Sequence, residues 1–336
     1  MTVRPLRVAV IGAGHLGTYH ARIYHGLPDC QLVALVDPAE ERAGKLAREL
    51  GCEHLTSALD LPYDLDAVSI AVPTALHAAV AVPLLERGLA CLIEKPLAAS
   101  VAEADQILAA AERGGALVSV GHVERFQPGL RKVRELGLEP KFIECHRLAP
   151  FSFRSTDIGV VHDLMIHDLD LVLELVPSEV VWFDAAGGAI LTENEDVASV
   201  RLVFANGARA NVTASRTSLS TMRRFRMFSA ESYVSLDFQA NYGLLVRKGP
   251  GWEAGRAELA TLDAATLAKR PDLVEKGLFE IVELELESEQ RPLQAELASF
   301  LAALRTGRPP EVTGADGRRA LELAERITQA IRAQSW

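Results

Sequence analysis

Short, almost wholly apolar runs punctuate the first 121 residues: LRVAVIG (6–12), QLVALVD (31–37), AVSIAV (67–72), ACLIE (90–94) and ALVSVG (116–121). Strands buried on both faces of a parallel sheet read this way. Between them lie longer helical patterns near 15–26, 39–50, 75–87 and 100–113. Such alternation predicts right-handed crossovers and an α/β, doubly wound sheet.

After residue 122 the pattern changes. A helix is expected near 128–136, a strand at 142–149, and a helix over roughly 160–175. Strands then dominate. VASVRLVFANGARANVTAS (197–215) reads as a hairpin, with Asn206-Gly207 expected to supply the positive φ values of a type I′ turn. RFRMFSA, SYVSLDF and YGLLVRK continue as strands through 248, residues 249–275 carry no sheet pattern, and FEIVELELE (279–287) reads as one more strand. Two helices, near 292–305 and 315–332, close the chain. This predicts two domains, 1–122 with a doubly wound Rossmann-type sheet and 123–336 as an α+β domain with a large, mostly antiparallel open sheet. One face of that sheet needs a cover, and the other is a natural surface for a homo-dimer or homo-tetramer.

A length of 336 residues suits two cores. The net charge of −10 argues against nucleic acid or an anionic membrane as partner. No apolar window approaches the roughly 20 residues of a membrane span, and the first apolar run meets glycine too early for a signal peptide. Cys30, Cys52, Cys91 and Cys145 are scattered without metal spacing, as expected of reduced thiols in a cytoplasmic protein.

The first strand leads into GAGHLG, which sets Gly12, Gly14 and Gly17 as G-x-G-x-x-G ahead of a helix. Gly12 permits the tight turn, Gly14 lets backbone approach a pyrophosphate, and Gly17 lets the helix pack close. His15 and Leu16 lie within the same loop. Asp37 ends the second strand, twenty residues after Gly17, where a carboxylate accepts hydrogen bonds from ribose hydroxyls and repels a 2′-phosphate. NAD is therefore expected over NADP. VPTALH follows the third major strand, with Pro73, Thr74 and His77, and IEKPL follows the fourth, with Glu94, Lys95 and Pro96. A lysine at a strand end beside a cofactor can polarise or deprotonate a hydroxyl, or can be a surface lysine paired with Glu94.

HDLMIHDLD (162–170) packs two histidines and three aspartates into nine positions. On a regular helix Asp163, His167 and Asp170 share one side, while His162 and Asp168 point elsewhere. Such a stripe admits a metal site, a histidine satisfied by Asp170 or a backbone carbonyl, or a proton-transfer site. No further ligand group for a metal is evident. Next to a cofactor site, proton transfer fits best, because a hydroxyl must lose its proton as its carbon loses hydride.

Taken together, GAGHLG, EKP (94–96), VGHVERFQP (120–128) and the D-x-x-x-H of DLMIHDLD resemble the glucose–fructose oxidoreductase/inositol dehydrogenase (Gfo/Idh/MocA) family. The resemblance implies that Lys95 and His167 flank the reacting carbon, with Asp163 beside them. FIECHRLAPFSFRSTDIGVVHDLMIHDLDLVLELV further resembles the UDP-N-acetylglucosamine 3-dehydrogenase branch of lipopolysaccharide and lipid A biosynthesis. That likeness implies NAD-dependent oxidation of the sugar C3 hydroxyl, ahead of a PLP-dependent 3-aminotransferase. A UDP-sugar needs donors for its pyrophosphate, for which Arg125, Arg147, Arg154 and Ser155 are candidates beside Glu124. Other sugars or polyols of the family, such as UDP-N-acetylglucosaminuronic acid or inositol, a non-catalytic NAD-binding role, and reduction of a non-sugar ligand are the alternatives.

Overall fold

The computed structural model describes residues 4–152, 158–259, 277–286, 288 and 290–334. The chain divides into two compact units, one of residues 1–126 with 290–326, the other of residues 127–289 with 327–336.

In the first unit, six strands form a parallel sheet: β1 (Leu6–Ile11), β2 (Cys30–Val36), β3 (Glu53–Leu55), β4 (Ala67–Ile70), β5 (Ala90–Glu94) and β6 (Val118–Gly121). Their order, β3-β2-β1-β4-β5-β6, reverses direction between β1 and β4. Ligands of open α/β sheets bind at such a reversal. The helices are α1 (His15–Gly26), α2 (Glu40–Leu50), α3 (His77–Glu86) and α4 (Val101–Gly114). Alternate residues of β1 enter different cores. Leu6, Val8 and Val10 pack with Tyr24, Leu46 and Phe300, whereas Ala9 and Ile11 pack with Leu84, Leu85 and Ile107. That two-sided burial is why the strands read as unbroken apolar runs.

The domain limits expected from sequence differ from the observed units. The late helix α8 (Pro292–Thr306) lays Leu297, Phe300 and Leu301 against α1 and β2, so it completes the first unit and not the second. Helix α9 (Gly314–Arg332) follows, with Leu321 in the core shared by α3 and α4.

The second unit holds α5 (Pro128–Leu136) and α6 (Ile166–Leu175) against an eight-stranded sheet. Its strands are β7 (Phe142–Leu148), β8 (Val180–Gly188), β9 (Val197–Phe204), β10 (Arg209–Ser215), β11 (Met222–Phe228), β12 (Ser232–Asp237), β13 (Tyr242–Lys248) and β14 (Phe279–Glu283), in the order β14-β13-β12-β11-β7-β10-β9-β8. All neighbours are antiparallel except β7 and β10. Ala198, Val200, Leu202 and Phe204 are buried on β9, while Ser199 and Arg201 are exposed, so one face is covered and the other open.

One local expectation is corrected. The β9–β10 turn is not type I′. Gly207 has φ of +85°, Asn206 does not lie in the left-handed region, and Gly207 N–H donates to Phe204 O at 2.9 Å. Phe204 N–H closes the pair on Ala208 O, which makes a three-residue loop with glycine at the bulge position. Within 249–275, which showed no sheet pattern, Trp252–Leu259 forms helix α7.

Candidate active site

The glycine loop joins β1 to α1, and its three glycines are required for three different reasons. Gly12 has φ of +99°, and a Cβ there would sit 2.4 Å from Ala71 O. At Gly17 a Cβ would approach Gly12 O to 1.8 Å, so a side chain would push the helix off the turn. Gly14 is different: its backbone is extended (φ −70°, ψ −163°) and a Cβ would meet nothing within 4 Å. Protein packing gives no reason for glycine there, whereas a pyrophosphate lying against the backbone does. The α1 N-terminus has no side-chain cap and no acidic residue in its first turn, leaving amide donors available for an anion. His15 and Leu16 are exposed beside it.

Asp37 is 8% exposed. One carboxylate oxygen accepts Ala13 N–H at 2.7 Å and the other Ala39 N–H at 2.8 Å, with Arg42 Nη2 at 3.3 Å. Burial pushes this carboxyl up, but the two amides and Arg42 outweigh it and hold Asp37 below the ordinary aspartate value. A fixed anion stands at the end of β2, backed by the glycine loop itself. These features fit an NAD molecule whose diphosphate lies on Gly14 and whose ribose faces Asp37.

Pro73 and Thr74 rim the loop after β4, with Pro73 exposed and Thr74 half-buried, and Lys95, half-buried, follows β5. Two of the expected cofactor contacts lie deeper. His77 is 1% exposed, its Nδ1 2.9 Å from Pro96 O and its Nε2 3.0 Å from Val72 O. It ties the VPT loop to the EKP loop. Burial lowers its pKa, against the raising effect of the carbonyls and Glu94. Glu94 is likewise buried, with Oε1 3.0 Å from Nε2 of the fully buried His20 and Oε2 accepting Lys95 N–H at 3.3 Å. Burial pushes the Glu94 carboxyl up, yet His20 and Lys95 hold it below the usual glutamate range. Gly121 makes room, since a Cβ there would sit 2.9 Å from Glu94 Oε2. The pairing of Glu94 with Lys95 is therefore not a surface one. His20 was missed by sequence reading, although its position one turn after Gly17 could have signalled it.

Glu124 and Arg125 are each 4% exposed in a tight turn after β6. Arg125 Nη1 lies 3.4 Å from Glu311 O and 3.7 Å from Asp316 Oδ2, all within the first unit. These contacts anchor its guanidinium to the segment ahead of the last helix and to the first turn of that helix.

In the second unit, Asp163 and His167 are half-buried and Asp170 is 1% exposed. The segment is not a uniform α-helix. Val161–Met165 forms a π-turn, with Ile166 N–H reaching Val161 O five residues back, and α6 continues from Ile166. Wide turns of this kind recur at functional sites. They carry fewer degrees per residue than an α-helix, where four residues sweep about 400°. The step from Asp163 to His167 therefore comes closer to one full revolution, stacking the two more directly than the sequence pattern implied. His162 Nδ1 lies 3.4 Å from Thr328 Oγ1. Asp168 is buried, taking a bidentate pair from Arg147 at 2.8 and 2.9 Å. Arg147, expected from sequence as a pyrophosphate ligand, is 4% exposed and directs its fork at Asp168. Arg154, Ser155 and the neighbouring Thr156 lie outside the described residues.

Comparison with known proteins agrees with this fold. A sequence profile described as an oxidoreductase family with an NAD-binding Rossmann fold matches residues 6–122, and one described as the GFO/IDH/MocA C-terminal domain matches 142–232. UDP-N-acetylglucosamine 3-dehydrogenase of Acidithiobacillus ferrooxidans (strain ATCC 23270) is 37% identical over 98% of both chains. Its solved structure superposes with a TM-score of 0.86 at 35% identity, covering 98% of this chain and 99% of that one. The scyllo-inositol 2-dehydrogenase (NAD(+)) of Bacillus subtilis (strain 168) is 30% identical over 63% of this chain and 68% of its own. A levoglucosan dehydrogenase complex with NADH and levoglucosan shares the fold at a TM-score of 0.81 and 20% identity, covering 99% of both chains.

Proposed function

The chain belongs to the Gfo/Idh/MocA family of NAD-binding oxidoreductases, and on that premise we propose that it oxidises the C3 hydroxyl of UDP-N-acetylglucosamine to the 3-keto sugar nucleotide. The observation that carries this reading is the end-to-end likeness to the Acidithiobacillus enzyme, 37% identical over 98% of both chains, together with the D-x-x-x-H helix. NAD, when bound, supplies the hydride acceptor. Gly14 and the α1 N-terminus would hold its diphosphate, and Asp37 would receive its ribose hydroxyls.

Lys95 donates to the C3 oxygen and orients it. His167 takes the hydroxyl proton, the general-base role that a positioned imidazole fills most often. Asp163 stands one turn before His167 and holds the imidazole in the productive tautomer. A carboxylate-bound imidazole is also the stronger base. The 3-keto product has a carbonyl suited to transamination, so a PLP-dependent aminotransferase is the partner reaction. The four cysteines are free thiols, which fits a reducing cytoplasm.

A second copy of the chain covers the open face of the eight-stranded sheet. An apolar row runs across it in register, Trp182–Val203–Arg209–Phe142–Phe228–Tyr233–Val246, interrupted by one arginine. The adjacent row alternates charge, Asp184–Arg201–Asn211–Glu144–Arg226, and can pair with its own copy.

The test is to incubate the purified protein with NAD and a panel of nucleotide sugars, with a ketone trap present, and follow NADH absorbance. UDP-N-acetylglucosamine is expected to give the highest kcat/KM. Silence with that sugar and turnover with another would refute the substrate assignment.

A further inference from the structure

Asp168 follows His167 immediately, yet its carboxylate is committed to a buried arginine. We propose that Arg147, Asp168, Glu195 and Arg216 are positioning residues that clamp both ends of the Val161–Met165 π-turn and thereby set His167 against Asp163. The inference rests on reading His167 as the proton acceptor.

Downstream of the turn, Arg147 rises from β7, which pairs with β10 on one side and β11 on the other. Its guanidinium meets Asp168 through two parallel bonds, Nε to Oδ2 at 2.8 Å and Nη2 to Oδ1 at 2.9 Å. A planar fork on a carboxylate fixes angle as well as distance, so it fixes the rotation of α6 at the residue next to His167.

Upstream, a separate group holds the other end. Val160 N–H donates to Glu195 O at 2.9 Å, and Val161 N–H to Glu195 Oε1 at 3.3 Å. Arg216 Nη2 donates to Ile158 O at 2.6 Å, and its Nε lies 3.7 Å from the fully buried Asp196. Gly159 lets Glu195 reach this backbone, for a Cβ there would lie 1.8 Å from Glu195 Oε1. A π-turn interrupts the ordinary i to i−4 ladder, which is regained if the helix re-phases. Fixing residues 158–161 on one side and 168 on the other prevents that. Loosening either clamp lets the turn relax, which would rotate His167 by up to about 100° for one residue of slippage.

This reading separates Arg147 from a substrate ligand by a measurable split. Arg147→Gln and Asp168→Asn each leave a buried partner without its counter-charge, while the double variant leaves a neutral amide pair. Each single variant is expected to lower kcat about 100-fold, the scale of an ångström-sized misplacement. KM for UDP-N-acetylglucosamine should stay within about twofold, because ground-state contacts are retained. The double variant should recover at least about tenfold in kcat. Glu195→Gln, which keeps an acceptor for Val161 N–H, should lose less than Glu195→Ala and serves if the buried pair proves essential for folding.

A second readout is the His167 imidazole resonance in histidine-labelled protein, assigned with His167→Gln. It should move in both single variants and return toward wild type in the double. A KM raised tenfold with kcat retained would make Arg147 a substrate ligand and overturn the proposal. So would an unmoved resonance together with wild-type kcat. Failure of the wild-type protein to oxidise UDP-N-acetylglucosamine would sink the substrate assignment alone, since the resonance still decides the clamp.

Discussion

Alanine at each of the three loop glycines separates folding from cofactor binding. At Gly17 the new Cβ would sit 1.8 Å from Gly12 O, a backbone atom with nowhere to go. Overpacking of this kind costs about 1–3 kcal/mol, which lowers Tm by roughly 2–12 °C in a unit of this size. Gly12→Ala combines a 2.4 Å approach to Ala71 O with a φ of +99° that alanine resists, so its loss of stability should be at least as large. Gly14→Ala meets no protein atom within 4 Å and has φ and ψ that alanine adopts readily. Alanine is a poorer helix N-cap than glycine but has less freedom in the unfolded chain. These opposing effects keep its stability within about 1 kcal/mol of wild type. Its methyl group nevertheless occupies the space assigned to the diphosphate. NADH affinity should fall at least about tenfold, or 1.4 kcal/mol. Differential scanning calorimetry and NADH fluorescence titration measure the two effects separately. If Gly14→Ala bound NADH like wild type, the diphosphate would not lie on that backbone and the cofactor reading would be wrong.

His167→Ala and Lys95→Ala should keep wild-type NADH binding while kcat falls by about 100-fold or more, the usual contribution of a positioned acid or base; stopped-flow turnover with a binding titration checks both. Asp196 gives a pH dependence. Burial pushes its carboxyl up, but the amides of Leu191, Ile190 and Thr192 and the Thr192 hydroxyl outweigh that and hold it below 3.8. Its stabilisation is therefore complete above 3.8 and lost as pH falls through the lower folded-state value. Urea midpoints should drop more steeply between pH 5 and pH 2 for wild type than for Asp196→Asn, and equal slopes would contradict this. On the proposed self-association through the open sheet face, Phe228→Asp puts a charge into the Phe142–Phe228–Tyr233 stripe and should give monomer in sedimentation velocity where wild type sediments as an oligomer.

Much of the first unit was legible because its strands are buried on both faces and its glycines stand at fixed spacing. β3 was missed, since three residues, Glu53–Leu55, at a sheet edge leave no apolar run. The expected domain limits misassign α8 and the part of α9 before Ile327, because an amphipathic helix such as α8 records that it packs and not on what. The helix carrying Asp163 and His167 was located correctly, but its π-turn was not, as periodicity assumes a constant angle per residue. His77 and Glu94, at strand ends, and Arg125 and Arg147, flanking the D-x-x-x-H helix, read as ligand contacts from their placement in the sequence. Their partners, Asp316, Asp168, two backbone carbonyls and His20, come from distant positions or from main chain, which a linear pattern does not register. Asp37 was placed by spacing, but its support by Ala13 and Ala39 amides needed the fold.

The central claim, oxidation at C3, is tested most directly with UDP-N-acetylglucosamine carrying deuterium at that carbon. After incubation with NAD and a ketone trap, mass spectrometry of the recovered reduced cofactor should show one deuterium, and turnover should slow relative to unlabelled sugar. Reduced cofactor formed without deuterium, or a trapped sugar that retains the label, would contradict it.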